Sequence, residues 1–122
     1  MLATGIDLVQ VHRIEQSIAQ YGERFLARIF TPDERAYCGA RAPQLAARFA
    51  AKEAVSKALG VGIQHRDGVG WREIEIVSNA PGQPAIRLSG CAARRATELG
   101  IAHFSLSISH TREHAIAMVV AE

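Results

Sequence analysis

Gln44 to Leu59 reads as one long helix, and that helix limits what can surround it. At about 100° per residue, Ala47, Ala50, Ala51, Ala54 and Ala58 share one side. A side with so little bulk lets another element approach closely, because helix packing distance follows the side chains at the contact. The opposite arc carries Arg48, Lys52, Glu53, Ser56 and Lys57. Leu45 and Phe49 lie within that arc, so it is not simply solvated. The sheet, a ligand or a neighbouring subunit must cover part of it.

The chain has 14 basic residues, and its only lysines, Lys52 and Lys57, both sit on this arc. Lysine is a compact point charge suited to a phosphate or a reacting group, whereas arginine offers a flat fork. Glu53 precedes Lys57 by four residues, the favoured order for an ion pair worth roughly 0.3 kcal/mol. The arc therefore reads either as a surface pair or as a site for phosphate and metal.

The rest of the chain divides by character. Leu2 to Val9 reads as a strand, with Gly5 marking a close backbone approach. Val11 to Tyr21 reads as a helix stopped by Gly22, and Glu23 to Phe30 as a short helical turn. Thr31-Pro32-Asp33-Glu34 is a helix start, with a Thr cap, Pro at the first position and Glu at the third. That helix runs to about Gly39. Trp71 to Val77 and Ala85 to Leu88 read as hairpin strands around the turn Asn79–Pro84. Cys91 to Leu99 reads as a helix stopped by Gly100. His103 to Ser109 and Ala115 to Ala121 read as two further strands. Helices early and strands late predict an α+β fold with a largely antiparallel sheet and a long packed helix, a single domain over residues 1–122.

Composition excludes several classes. Apolar runs are far too short for a bilayer, and Met1 to Asp7 has no basic region of a signal peptide. A cytoplasmic chain is expected, with Cys38 and Cys91 as packing thiols. A net charge of +2 and 6% aromatics give no stacking platform for nucleic acid.

Two features outside the long helix bear on its chemistry. Asp7 is an acid inside the apolar strand Gly5-Ile6-Asp7-Leu8-Val9, so it needs a cation, a donor or water. Its plainer reading is a strand-end cap. Ser105, Ser107 and Ser109 alternate with aliphatics and lead into His110. That pattern reads as a hydroxyl-lined face, or as a site with the imidazole at its exit. His12, His65, His103 and His114 read as structural or surface residues. Asp7 and Glu53, with no Cys or His at ligand spacing, suit a hard cation such as Mg²⁺. Lys57, one turn on, could touch a phosphate oxygen. The residues point to a Mg²⁺-dependent phosphate-handling enzyme, or to a non-catalytic module that binds phosphate through the same arc.

Gly5-Ile6-Asp7-Leu8-Val9, Arg48-Phe49-Ala50-Ala51-Lys52-Glu53-Ala54 and Ser107-Ile108-Ser109-His110 together resemble the holo-[acyl-carrier-protein] synthase family, the small 4′-phosphopantetheinyl transferases. Gly70-Trp71-Arg72-Glu73 and Gly82-Gln83-Pro84 are also similar to its connecting segments. The resemblance covers essentially the whole chain. It implies the 4′-phosphopantetheinyl transferase fold and transfer of the 4′-phosphopantetheine arm of coenzyme A to a serine of apo acyl carrier protein, with adenosine 3′,5′-bisphosphate as by-product. By the same resemblance Asp7 and Glu53 would hold Mg²⁺, and Lys57 would contact the coenzyme A phosphates. Arg48 and His110 would lie along the nucleotide, Glu53 and Lys57 would be catalytic, and the chain would be a homotrimer with sites between subunits. Lys52 would face the nucleotide or solvent. The strip Arg13, Arg24, Phe25 and Arg28 would meet the acidic carrier, its charges chiefly speeding encounter. Carriers of fatty acid synthesis and of polyketide or peptide synthetases remain open alternatives.

Overall fold

The computed structural model describes residues 2–64, 66, 68–78 and 83–122. His65 and the tip of the expected turn, residues 79–82, lie outside them, so the readings placed there stand as sequence expectations. In order, the elements are β1 (Ala3–Gln10), α1 (Val11–Tyr21), α2 (Glu23–Ile29), α3 (Pro32–Cys38), α4 (Ala42–Leu59), β2 (Ile74–Ser78), β3 (Pro84–Leu88), α5 (Gly90–Glu98), β4 (Phe104–His110) and β5 (His114–Ala121). The expected α+β fold is present, and these five strands pair antiparallel. The strands form two sheets, ordered β1-β5-β4 and β2-β3.

The alanine side of α4 decides the packing. It lies across β1 and β5, with lesser contacts to β4 and β2. Ala50, Ala51 and Ala54 are fully buried there. β5 answers with small residues of its own, Ala115, Ala117, Val119 and Ala121, on the face turned inward. Small on small brings strand and helix so close that a Cβ on Gly5 would stand 1.8 Å from the Ala54 carbonyl oxygen. No side chain fits at Gly5, and this approach carries β1 alongside the polar edge of α4.

Helix ends follow local chemistry. Thr31 caps α3, its Oγ1 accepting from Glu34 N at 3.2 Å while Glu34 Oε1 accepts from Thr31 N at 2.8 Å. Gly60 closes α4 in the left-handed region, φ 70°. α4 begins at Ala42, two residues before the expected Gln44, because Pro43 in the first turn has no N–H to lose. β1 is shifted one residue from Leu2–Val9. Glu23–Ile29 is a full helix, not an isolated turn.

The largest departure is at Trp71–Glu73, a 3₁₀ turn where a strand was expected. The Glu73 carboxylate accepts from Gly70 N at 2.6 Å and from Cys91 N at 2.7 Å, curling the chain before β2. Cys91 is exposed at the start of α5, whereas Cys38 is buried and burial pushes its thiol pKa up. The outer face of the three-stranded sheet is open and partly apolar. Ile6, Leu8 and Met118 are 56%, 62% and 47% exposed there, beside Ile116 and the serines Ser105, Ser107 and Ser109.

Candidate active site

Asp7 reaches the polar edge of α4 because Gly5 lets β1 lie against the helix. Lys57 Nζ donates to Asp7 Oδ1 at 3.1 Å and to the Ile6 carbonyl at 2.8 Å. The expected Glu53–Lys57 ion pair does not form among the described residues; Lys57 turns to β1 instead. Glu53, one helical turn away, has no ion-pair partner among the described residues and is half-buried. Burial raises its pKa above the ordinary 4.5, the Asp7 charge raises it further, and Lys57 opposes both.

Two neighbouring carboxylates, open to solvent on one side, form a place where a cation is favourable, and the Asp7 charge is one reason the Glu53 pKa is raised. Among the described residues no group of three or more His, Cys, Asp or Glu side chains could hold a metal. A cation at Asp7 and Glu53 would therefore take its other ligands from water and substrate oxygens. Hard oxygen donors in that arrangement fit Mg²⁺.

Lys52 faces neither nucleotide nor solvent. It is fully buried, and its ammonium donates to Glu34 Oε1 at 2.8 Å, to the Ile74 carbonyl at 2.7 Å and to the Trp71 carbonyl at 3.0 Å. Glu34, also buried, uses its second oxygen to accept from Ile76 N at 2.8 Å. All three ammonium protons and both carboxylate oxygens are thus engaged. Burial lowers the Lys52 pKa from its ordinary value, and Glu34 opposes the shift. The cover over this part of the arc is the chain's own α3, β2 and 3₁₀ turn. Arg48, Lys52 and Ser56 are buried, whereas Glu53 and Lys57 stay accessible.

Arg48 is 4% exposed, lies over the Tyr37 ring with Cζ 4.4 Å from the centroid, and donates from Nη2 to Ser78 Oγ at 2.7 Å. Its Nε is buried with no hydrogen-bond partner, and no carboxylate pairs with it among the described residues. His110 ends β4 and is exposed. It shares the inward parity of Leu106 and Ile108, opposite the three serines, so serines and imidazole do not share one face. No hydrogen bond among the described residues joins His110 to Asp7, Glu53 or Lys57. The structure thus gathers Asp7, Glu53 and Lys57, and leaves Arg48 and His110 apart from them.

Of the basic strip, Arg24, Phe25 and Arg28 line one cavity of about 450 Å³, while Arg13 stands exposed on α1 away from it. The sequence did not reveal the rest of that lining: Tyr21, Ile29, Phe49 and Trp71. Phe49 and Trp71 stack with ring centroids 4.8 Å apart. Phe49 is one turn before Glu53 on α4, so the cavity and the acid pair are neighbours on one helix. An aromatic inside a polar arc was the available signal.

The fold and these residues together mark a small phosphate-group transferase, and comparison with known proteins gives the family. Residues 3–119 match the model of the 4′-phosphopantetheinyl transferase superfamily, so the chain belongs to that superfamily and is an enzyme of that class. It is similar to holo-[acyl-carrier-protein] synthase of Dehalococcoides mccartyi, 50% identical over 100% of this chain and 99% of that one. The enzyme of the same description from Herpetosiphon aurantiacus is 48% identical over 98% of each chain. Among solved structures, Helicobacter pylori holo-[acyl-carrier-protein] synthase in complex with coenzyme A superposes with a TM-score of 0.87 at 36% identity, over 98% of this chain and 99% of that one.

Proposed function

We propose that the chain transfers the 4′-phosphopantetheine group of coenzyme A to a serine of apo acyl carrier protein, in a Mg²⁺-dependent reaction. The observation that supports this most is the meeting of Asp7, Glu53 and Lys57 at an open edge, in a chain so similar to holo-[acyl-carrier-protein] synthases along its whole length. The serine oxygen attacks the phosphorus on the pantetheine side of the pyrophosphate. The bond from that phosphorus to the bridging oxygen breaks, and adenosine 3′,5′-bisphosphate leaves. Lys57 gives its ammonium to a non-bridging oxygen as charge builds there. Glu53 takes the serine proton directly or through a water. Asp7 and Glu53 are the residues that would hold Mg²⁺, which would supply further positive charge to the pyrophosphate.

The other site residues take binding roles. Arg48 carries a positive charge with no carboxylate paired to it among the described residues, which suits a nucleotide phosphate once Ser78 yields its hydrogen bond. His110 is assigned to the nucleotide as well, in a site shared between copies. The open sheet face with Ile6, Leu8, Ile116 and Met118 is the surface on which three copies would assemble. Arg24, Phe25 and Arg28 at the aromatic cavity, with Arg13 beyond it, receive the acidic carrier. The whole chain works as one domain, in the cytoplasm, where carrier and coenzyme A occur together.

Mass spectrometry tests the reaction. An apo acyl carrier protein incubated with the chain, coenzyme A and Mg²⁺ gains the mass of the phosphopantetheine arm. No gain with several carriers would leave the non-catalytic binding module. Reversal of Arg24 and Arg28 to Glu raises the KM for carrier and leaves that for coenzyme A unchanged. Ile6→Asp, read by light scattering, turns the trimer into monomer with loss of activity; a native monomer in solution would remove the trimer.

A further inference from the structure

We infer that the buried Glu34–Lys52 pair is a positioning element for the carrier cavity and acts through Trp71. The inference rests on the reading of that cavity as the carrier's docking place. α4 grips Trp71 at two points. Phe49 stacks on its ring at 4.8 Å, and Lys52, three residues further along the helix, holds its carbonyl oxygen at 3.0 Å. The same ammonium holds the Ile74 carbonyl at 2.7 Å, so both ends of the 3₁₀ turn are pinned to one charge. Glu34 fixes where that charge stands: its Oε1 accepts from Lys52, while Oε1 and Oε2 are tied to Thr31 N and Ile76 N.

The ring so placed lines the cavity together with Tyr21, Arg24 and Phe25 from α1 and α2. Release of the ammonium frees the backbone of Trp71, and the ring has no second polar anchor among the described residues. The cavity then loses its fixed width, and a docking partner must order it at the expense of affinity. Lys52 and Glu34 are both buried, so neither is presented to a substrate at the surface. Both are positioning residues, and their effect falls on the carrier.

A double-mutant cycle reads this directly. Trp71 is the chain's single tryptophan, so its fluorescence reports its own setting. Lys52→Met raises the KM for apo carrier roughly tenfold, equivalent to about 1.4 kcal/mol of binding, leaves the KM for coenzyme A and kcat unchanged, and makes Trp71 easier to quench with acrylamide. Trp71→Ala raises the carrier KM alike, and the two substitutions together do no more than either alone. Glu34→Gln keeps the side chain's shape and removes its charge. It is the milder cut of the same pair, shows the same non-additivity, and decides the matter if Lys52→Met does not fold. Additive effects, or equal losses for both substrates, overturn the proposal while wild-type transfer stands. Absence of transfer by the wild-type chain overturns the transferase reading and the positioning role with it.

Discussion

Lys52 and Lys57 leave one helix within two turns and meet opposite surroundings. Lys52 enters a closed box in which each of its protons has an oxygen, supplied by α3, β2 and the 3₁₀ turn. Lys57 is 53% exposed and shares Asp7 with solvent, while Glu53 beside it keeps a charge with no ion-pair partner among the described residues. A closed polar cluster has nothing left to offer a substrate. An open one with excess negative charge does. The difference separates structure from chemistry where sequence shows only two like residues on one arc.

Substitution separates the two regions most sharply at the open end. Asp7→Asn and Glu53→Gln each lower kcat/KM for carrier modification by at least about 10³, from the loss of several kcal/mol of charge stabilisation, with the thermal midpoint held or raised. Full activity of either variant at low Mg²⁺ would sink the metal assignment. At the closed end the effect moves to stability. Lys52→Met lowers the free energy of urea unfolding by about 3–5 kcal/mol, because Glu34 is left as a buried unpaired charge. Lys57→Met, at an exposed pair, changes it by less than about 1 kcal/mol. Equal losses for the two lysines would erase the distinction.

Gly5→Ala tests what joins the regions. Its methyl would meet the Ala54 carbonyl at 1.8 Å, so β1 must shift, at about 1–3 kcal/mol. Asp7 moves with it, and Mg²⁺ affinity by calorimetry falls in step; an undisturbed affinity would place the acid pair elsewhere.

The smallest effect is a pair of opposed pH slopes. Glu53 has a folded pKa above 4.5, so the folded chain holds that proton to higher pH than the unfolded chain. Its contribution to stability is full below 4.5 and is lost as pH rises through the folded value. For Glu75, beside the closed box, burial raises the pKa, but hydrogen bonds from Thr31 and Arg87 and the charges of Arg87 and Lys52 outweigh it and leave it lowered. Its contribution is present above 4.5 and fades as pH falls through the folded value. In metal-free buffer Glu53→Gln therefore gains on wild type as pH rises, and Glu75→Gln loses. Parallel curves for both variants would contradict the two assignments.

The legible parts of the sequence were those set by near neighbours. Thr31-Pro32-Asp33-Glu34 announced α3 because a capping box closes over three residues. The alanine side of α4 announced its close packing because helical period is local. Glu34 also receives Lys52, 18 residues away, and nothing in the spacing says so. Lys57 prefers Asp7, 50 residues away, over Glu53 in its own helix, because Gly5 brings the strand in. The strand expected from Trp71 fails because Glu73 bonds backward to Gly70 and forward to Cys91. The acids of the candidate site were readable as types, and their surroundings only from the fold.

The two cysteines give the molecule an experimental handle. Cys38 is closed to reagents and its thiol holds its proton, so near neutral pH an alkylating dye finds one address, Cys91 at the start of α5. With Trp71 as natural donor, one labelling step makes an energy-transfer pair that spans the Glu73 link between the turn and α5. The proposed docking of the carrier at Trp71 could then be followed in real time in a chain with no residue replaced.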